Sequence, residues 1–319
     1  MSSDDGKKLD FVKAIASDGD VILVVGEQKV ELRVHSQCLI SASKVFGAML
    51  GPNWSEGQNL SKNSPKEIPL IEDDAKALYT ICCVVHHRND ILPERISPRE
   101  LLQIAIEADK YDLRTALLFA KAQWLQRKNI TDMMELAYLM AAAFLFDDMD
   151  MFIEHSQALI LQHQDSYIEL LADSTLSQIL PANTPHLLEE RRNRMRAEIG
   201  EIMLRETKNS CSCGWGKSRS DSYRDLLYEY TPLRILGTPI SKVVERIQSI
   251  SYDGNRQYHA STSRYDKDYY HEPAKYIATL AEKLEKAKRR VSLCLDCVQG
   301  SGETESCRFE QEEFYYRFN

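Results

Sequence analysis

The chain has 319 residues, 43% hydrophobic and 28% charged, with only 13 glycines and 10 prolines. That composition excludes disordered, collagen-like and disulfide-framework classes, and the length suggests about two domains on a prior of ~150 residues each. A net charge of −8 argues against direct nucleic-acid binding by the chain as a whole.

In chain order, residues 1–16 form an N-terminal extension in which Phe11, Val12 and Ile15 recur at helical spacing. An exposed helix of this kind can pack on its own copy across a twofold axis, which predicts a homodimer through those three residues. Residues 17–128 then read as an α+β domain. Val21 to Val25 is a β-branched run, Gly26 to Gln28 can turn the chain, and Val30, Leu32 and Val34 alternate with Glu31 and Arg33. This predicts a hairpin. Short helical pieces follow around Cys38–Ile40 and Lys44–Leu50, with a third strand at Ile68–Ile71. Ser97-Pro98-Arg99-Glu100 is a capping-box pattern with proline at the first helical position. The helix it opens carries Leu101, Ile104, Ala105 and Ala108 as an apolar stripe, and another helix is expected from Leu113 to Arg127.

Residues 129–204 read as all helix. Leu136 to Phe146 is the strongest apolar run, about half the length a membrane span needs, so it predicts a buried core helix and no membrane association. Pro181 stops a short helix, and Thr184-Pro185 opens a long charged one. Arg191, Arg192, Arg194 and Arg196 on that helix are interleaved with Glu189, Glu190, Glu198 and Glu201, the pattern of a solvated face, with a nucleic-acid or phosphate contact as the other reading. Residues 205–319 form a C-terminal module with five of the eight cysteines. It has a polar, tyrosine-rich stretch from Tyr252 to His271, expected to be a mobile loop. Ile277, Leu280, Leu284, Ala287, Val291 and Cys294 then mark a packed amphipathic helix, with a short coiled coil as the other reading.

The first domain resembles the BTB/POZ family. The residues that carry the resemblance are Asp18-Gly19-Asp20 before Val21–Val25, then Val34-His35, Leu39, Ser43-Lys44-Val45-Phe46, and the run Leu101 to Leu113, which is similar to the family's LLxxAxxAxxYxL helix pair. Phe46 to Gly57 looks especially like the BTB proteins of filamentous fungi. The resemblance implies a protein-interaction module with no enzymatic activity. In this family such modules dimerise, serve as substrate adaptors for cullin-type ubiquitin ligases, or recruit corepressors as nuclear transcription or chromatin regulators. The corepressor pocket uses a basic residue after the strand-end histidine, and here that position is Ser36. Family adaptors often carry a hydrophobic-x-Glu motif after the S-x-x-F helix, where this chain has Trp54-Ser55-Glu56. Trp54 and Glu56 are therefore the expected partner contacts, with a Trp54 folded back onto its own domain as the other reading.

Cys211-x-Cys213 and Cys294-x-x-Cys297 have the makings of a four-thiolate structural zinc site, closed to water. A set of free thiols is the competing reading. Cys82-Cys83 and His86-His87 lie beside an apolar run and are expected to be core, with His35 a satisfied structural histidine. No phosphate loop, dinucleotide fingerprint, GxSxG or HExxH occurs. With no signal-peptide-like segment at residues 1–20, the expected location is cytoplasmic or nuclear, where cysteines stay reduced.

Overall fold

A computed structural model describes residues 12–93, 95–126, 129–208, 214–230, 232–250, 257–259, 269–271 and 273–300. The fold is mixed α and β, mostly helical, in two units. The first is Met1–Asn129 with Tyr138–Met151, and the second is Ile130–Ala137 with Phe152–Asn319.

In the first unit, β1 (Val12–Ala14), β2 (Val21–Val25), β3 (Val30–Val34) and β4 (Lys66–Leu70) form one sheet in the order β1-β3-β2-β4. The expected hairpin is present: β2 and β3 pair antiparallel from Val21↔Val34 to Val25↔Val30. Gly26 opens the turn at φ 71, and a side chain there would press on the Asp73 carbonyl oxygen at 3.3 Å, so glycine suits the position. β4 joins β2 in parallel. Alternation of the side chains sends Val21, Leu23, Val25, Leu32 and Val34 to one buried face.

The N-terminal extension departs from expectation. Residues Val12–Ala14 are a strand, parallel to β3, and not a helix. The backbone of β3 has an open edge there, and Ala16 N–H continues the pairing to the Arg33 carbonyl at 3.0 Å.

Helices α1 (Ser36–Ala42), α2 (Lys44–Met49), α3 (Ala75–Val85), α4 (Pro98–Lys110) and α5 (Leu118–Trp124) complete this part of the unit. The S-x-x-F signature has a direct physical basis. Ser43 Oγ accepts from Phe46 N at 2.9 Å, capping α2, and donates to the Tyr111 carbonyl just beyond α4. The Phe46 and Tyr111 rings stack with centroids 4.4 Å apart. α4 starts at the expected capping box, with both reciprocal bonds between Ser97 and Glu100 formed. α5 is shorter than the expected Leu113–Arg127 helix.

The boundary between units falls inside α6 (Met133–Leu145) and α7 (Met149–Gln162). α6 is the expected buried apolar helix, with Leu136, Ala137 and Leu139 to Ala143 all buried. Among the described residues no helix is long and apolar enough to cross a membrane.

The second unit continues with α8 (Ser174–Ile179), α9 (Thr184–Glu206), α10 (Gly214–Glu229), α11 (Pro232–Leu236) and α12 (Ile240–Gln248). After these come strands β5 (Gln257–His259) and β6 (Tyr269–His271), then α13 (Pro273–Arg290) and α14 (Leu295–Gln299). α9 is the axis of the unit and packs against α10, α12 and α13. α12 buries Ile240, Val243, Val244 and Ile247, one helical stripe. Leu280, Leu284 and Ala287 of α13 are buried within the chain's own fold, as the packed amphipathic reading expects, but Ile277, placed on the same stripe, is exposed. Two pieces of the tyrosine-rich stretch expected as a loop are strand: β5 and β6 pair antiparallel, Gln257↔His271 to His259↔Tyr269, and the rest of Tyr252 to His271 lies outside the described residues.

The solvated face expected for the arginine run holds at Arg194, which is exposed, and is corrected at two of its four arginines. Arg192 and Arg196 are only 3% and 7% exposed. Arg192 donates to the His163 carbonyl at 3.2 Å and the Asp165 carbonyl at 2.7 Å, pairs with Glu189, and lies over the Tyr167 ring at 4.4 Å. Arg196 donates to the Leu236 carbonyl at 2.7 Å. A planar fork of donors lets a guanidinium satisfy several carbonyls at once, so these side chains can enter the interior.

Candidate functional site

The segment after α2 holds Trp54 on a fixed turn. Gly51 N–H bonds Ala48 O at 3.2 Å, Trp54 N–H bonds Gly51 O at 3.3 Å, and Gly57 N–H bonds Trp54 O at 3.2 Å. Residues Ser55–Gly57 form one turn of 3₁₀ helix with Trp54, in extended backbone, as its N-cap. Gly57 packs so tightly that a Cβ would stand 2.1 Å from the Gly51 carbonyl oxygen and 2.3 Å from that of Leu50. No side chain fits there without moving the backbone. Lys66, at the start of β4, donates to the Ser55 carbonyl and to the Gln58 carbonyl at 3.3 Å, tying the turn to the sheet.

Trp54 is 60% exposed on this turn, so it does not fold back over its domain. Glu56 beside it accepts from Ser55 Oγ at 2.9 Å. Its own backbone N–H, the Ser55 hydroxyl and the nearby Lys66 charge hold its carboxyl below the usual range. The result is a large, stiff apolar group next to a carboxylate held in its ionised form, on a loop with little freedom.

A second exposed apolar group in the first unit was not singled out from the sequence. Phe119, on α5, is 88% exposed, with Leu118 beside it at 51%. Leu113, Leu117, Lys121 and Leu125 recur every four residues and are all buried. The i,i+4 ladder was therefore available as a signal, with Lys121 in an apolar register and Phe119 off it. The Lys121 ammonium is satisfied by the Phe146 carbonyl at 3.2 Å and Asp148 at 3.2 Å.

The expected dimer contacts are not assembled as a helix. Phe11 lies outside the described residues, Val12 pairs with Glu31 in the sheet, and Ile15 is buried within its own unit. Ile15 also accepts from Arg88 through its carbonyl at 2.9 Å. Of the expected zinc ligands, Cys211 and Cys213 lie outside the described residues. Cys294 is buried at the N-cap of α14, and Cys297 is exposed on that helix.

The remaining candidates have structural partners. Cys82 and Cys83 are buried, and burial pushes the Cys82 thiol up. His86 Nε2 accepts from His35 N at 2.9 Å while Nδ1, 2.8 Å from the Cys82 carbonyl, is placed to donate to it. Burial lowers the His86 pKa, consistent with a neutral ring. His35 Nε2 lies 3.0 Å from Asp18, whose other oxygen takes Lys62 at 2.7 Å. Ser36 donates from its N–H and hydroxyl to Asp20, at 2.8 and 2.6 Å. The acidic residue that opens β2 thus anchors the first residue of α1.

No protein-family model matches the chain, and no curated protein matches it.

Proposed function

We propose that this chain is a non-enzymatic protein-interaction module whose first domain is of the BTB/POZ type and acts as a substrate adaptor for a cullin-type ubiquitin ligase. The observation that carries the reading is Trp54, 60% exposed and next to ionised Glu56 on a turn pinned by Gly57 and Lys66. Tryptophan is the side chain most enriched in binding hot spots, and a rigid turn presents it at little cost in ordering. A carboxylate at the edge of such an anchor adds charge complementarity and orientation. The proposed setting is the cytoplasm or nucleus, and the proposed assembly is a homodimer.

The test is calorimetric titration with a purified cullin. Wild-type protein is expected to bind, with Trp54→Ala and Glu56→Lys each weakening binding about 10-fold or more, or ~1.4 kcal/mol. Thermal unfolding of both variants should match wild type, because neither side chain belongs to the core. Absence of wild-type binding at tens of micromolar removes the adaptor reading.

A further inference from the structure

A small groove lies in the first unit, between the first two turns of α3 and α4 and the segment that leads into α4. Its volume is about 200 Å³. Ala77, Thr80 and Ile104, all buried, line its floor, and Pro93 and Ile96 flank it. The Thr80 hydroxyl donates to the Lys76 carbonyl at 2.9 Å, so its proton is used inside α3. A cavity of ~150 Å³ lined by apolar side chains accepts one benzene molecule, so this groove has room for one aliphatic or aromatic side chain.

Four charged side chains line the groove, and three of them are already engaged. Lys76 pairs with Glu100, which also accepts from Ser97 N at 3.0 Å. Asp74 caps α3 and accepts from Ala77 N at 2.7 Å. Arg99 is the fourth. It is exposed, and among the described residues its guanidinium has no hydrogen-bond or ion-pair partner. Gln103, half-buried one turn on, likewise has no partner for its side-chain amide among the described residues. Positions 99 and 103 share one face of α4, about 6 Å apart along its axis. The groove thus offers, side by side, an apolar slot, an amide that can both donate and accept, and one uncommitted cation.

We propose that this groove docks an extended segment of a partner protein that carries an acidic residue two positions from a leucine-like apolar one. The carboxylate meets the Arg99 fork in a charge-assisted pair, the apolar side chain fills the slot, and the Gln103 amide takes the backbone between them. Spacing supports an extended segment. Residues i and i+2 of a strand stand about 6.7 Å apart, close to the ~6 Å between positions 99 and 103. Charge decides the sign of the partner. The carboxylates of the groove are held by Lys76 and by the N-terminus of α3, so a basic segment finds no open acid and is repelled by Arg99. None of residues 51–65 lines the groove, so the proposal stands apart from the Trp54 turn and from cullin binding.

The test is an NMR titration of the isotope-labelled full chain with the capped peptide Ac-GSGEALSGS-amide. Amide signals of Ala77, Gln103 and Ile104 are expected to shift, with half-saturation at ~1 mM or below. Replacing the peptide's glutamate by lysine should weaken binding about fivefold or more, and replacing its leucine by serine should abolish it. Arg99→Glu, at an exposed position, should reverse the charge preference, so that the lysine peptide binds more tightly than the glutamate one. Absence of shifts at several millimolar peptide overturns the proposal. So does a preference for the glutamate peptide that survives Arg99→Glu, or shifting of the same signals when the protein alone is concentrated, which would seat a second copy in the groove.

Discussion

Glu107 shows how a single side chain can tilt the stability of the first unit. It is 4% exposed; Oε1 accepts from Asp74 N at 2.8 Å, and Oε2 has no hydrogen-bond partner among the described residues. Burial pushes its pKa up to about 7; the Asp74 N–H opposes that shift and the Asp73 charge adds to it, with Lys110 also nearby. Between the ordinary value near 4.5 and about 7, the folded state holds a proton that the unfolded chain has released. Stability from this group therefore falls as pH rises through that window, at up to ~1.4 kcal/mol per pH unit, and levels off above it at roughly 3 kcal/mol. Glu107→Gln keeps an acceptor for Asp74 N and never ionises. Urea unfolding should find the variant near wild type at pH 5 and more stable by about 1–3 kcal/mol at pH 8. An identical difference at both pH values would refute the assignment. The helical sequence pattern marks position 107 only as one step from the apolar stripe; its burial comes from α3 closing over α4, which no local signal encodes. The burial of Arg192 and Arg196 escapes the local pattern for the same reason, since the carbonyls of His163, Asp165 and Leu236 that receive them are distant in sequence.

Elements with strong local chemistry were legible. Ser97 and Glu100 close a capping box, Thr184-Pro185 opens α9, and the Val21–Val34 hairpin alternates as its burial requires. Elements that depend on a distant edge were not. Val12–Ala14 is too short for its period to separate strand from helix, and the edge of β3 decides it. β5 and β6 lie in a polar stretch without an apolar alternation, so pairing between Gln257 and His271 left no pattern to read. The α14 region also bears on the zinc proposal. Cys294 at the N-cap and Cys297 one turn on offer one thiol pair, with Cys211 and Cys213 proposed as the other. Elemental analysis of protein purified without chelator should then find about one zinc per chain, as expected for a closed tetrahedral thiolate site. A Cys294→Ser/Cys297→Ser variant should lose it and unfold the C-terminal module at lower temperature, since such sites form with folding. A wild-type ratio near zero, or a ratio unchanged in the variant, would favour free thiols.

At the scale of the whole molecule, the two units divide the proposed labour. The first presents Trp54 and Glu56 on a rigid turn, and the second organises helices around α9. The motif Trp54-Ser55-Glu56 was visible in the sequence, but its exposure was not, because the glycine contact and the Lys66 bridge that hold the turn outward are tertiary. Phe119 stands as a second exposed ring in the same unit and supplies an internal comparison. Hydrogen–deuterium exchange of the full chain, with and without saturating cullin, tests the central claim most directly. The account predicts slowed exchange in the peptides covering residues 51–65, with the effect lost in Trp54→Ala. Slowed exchange confined to α5 or to the second unit, with residues 51–65 unchanged, would contradict it.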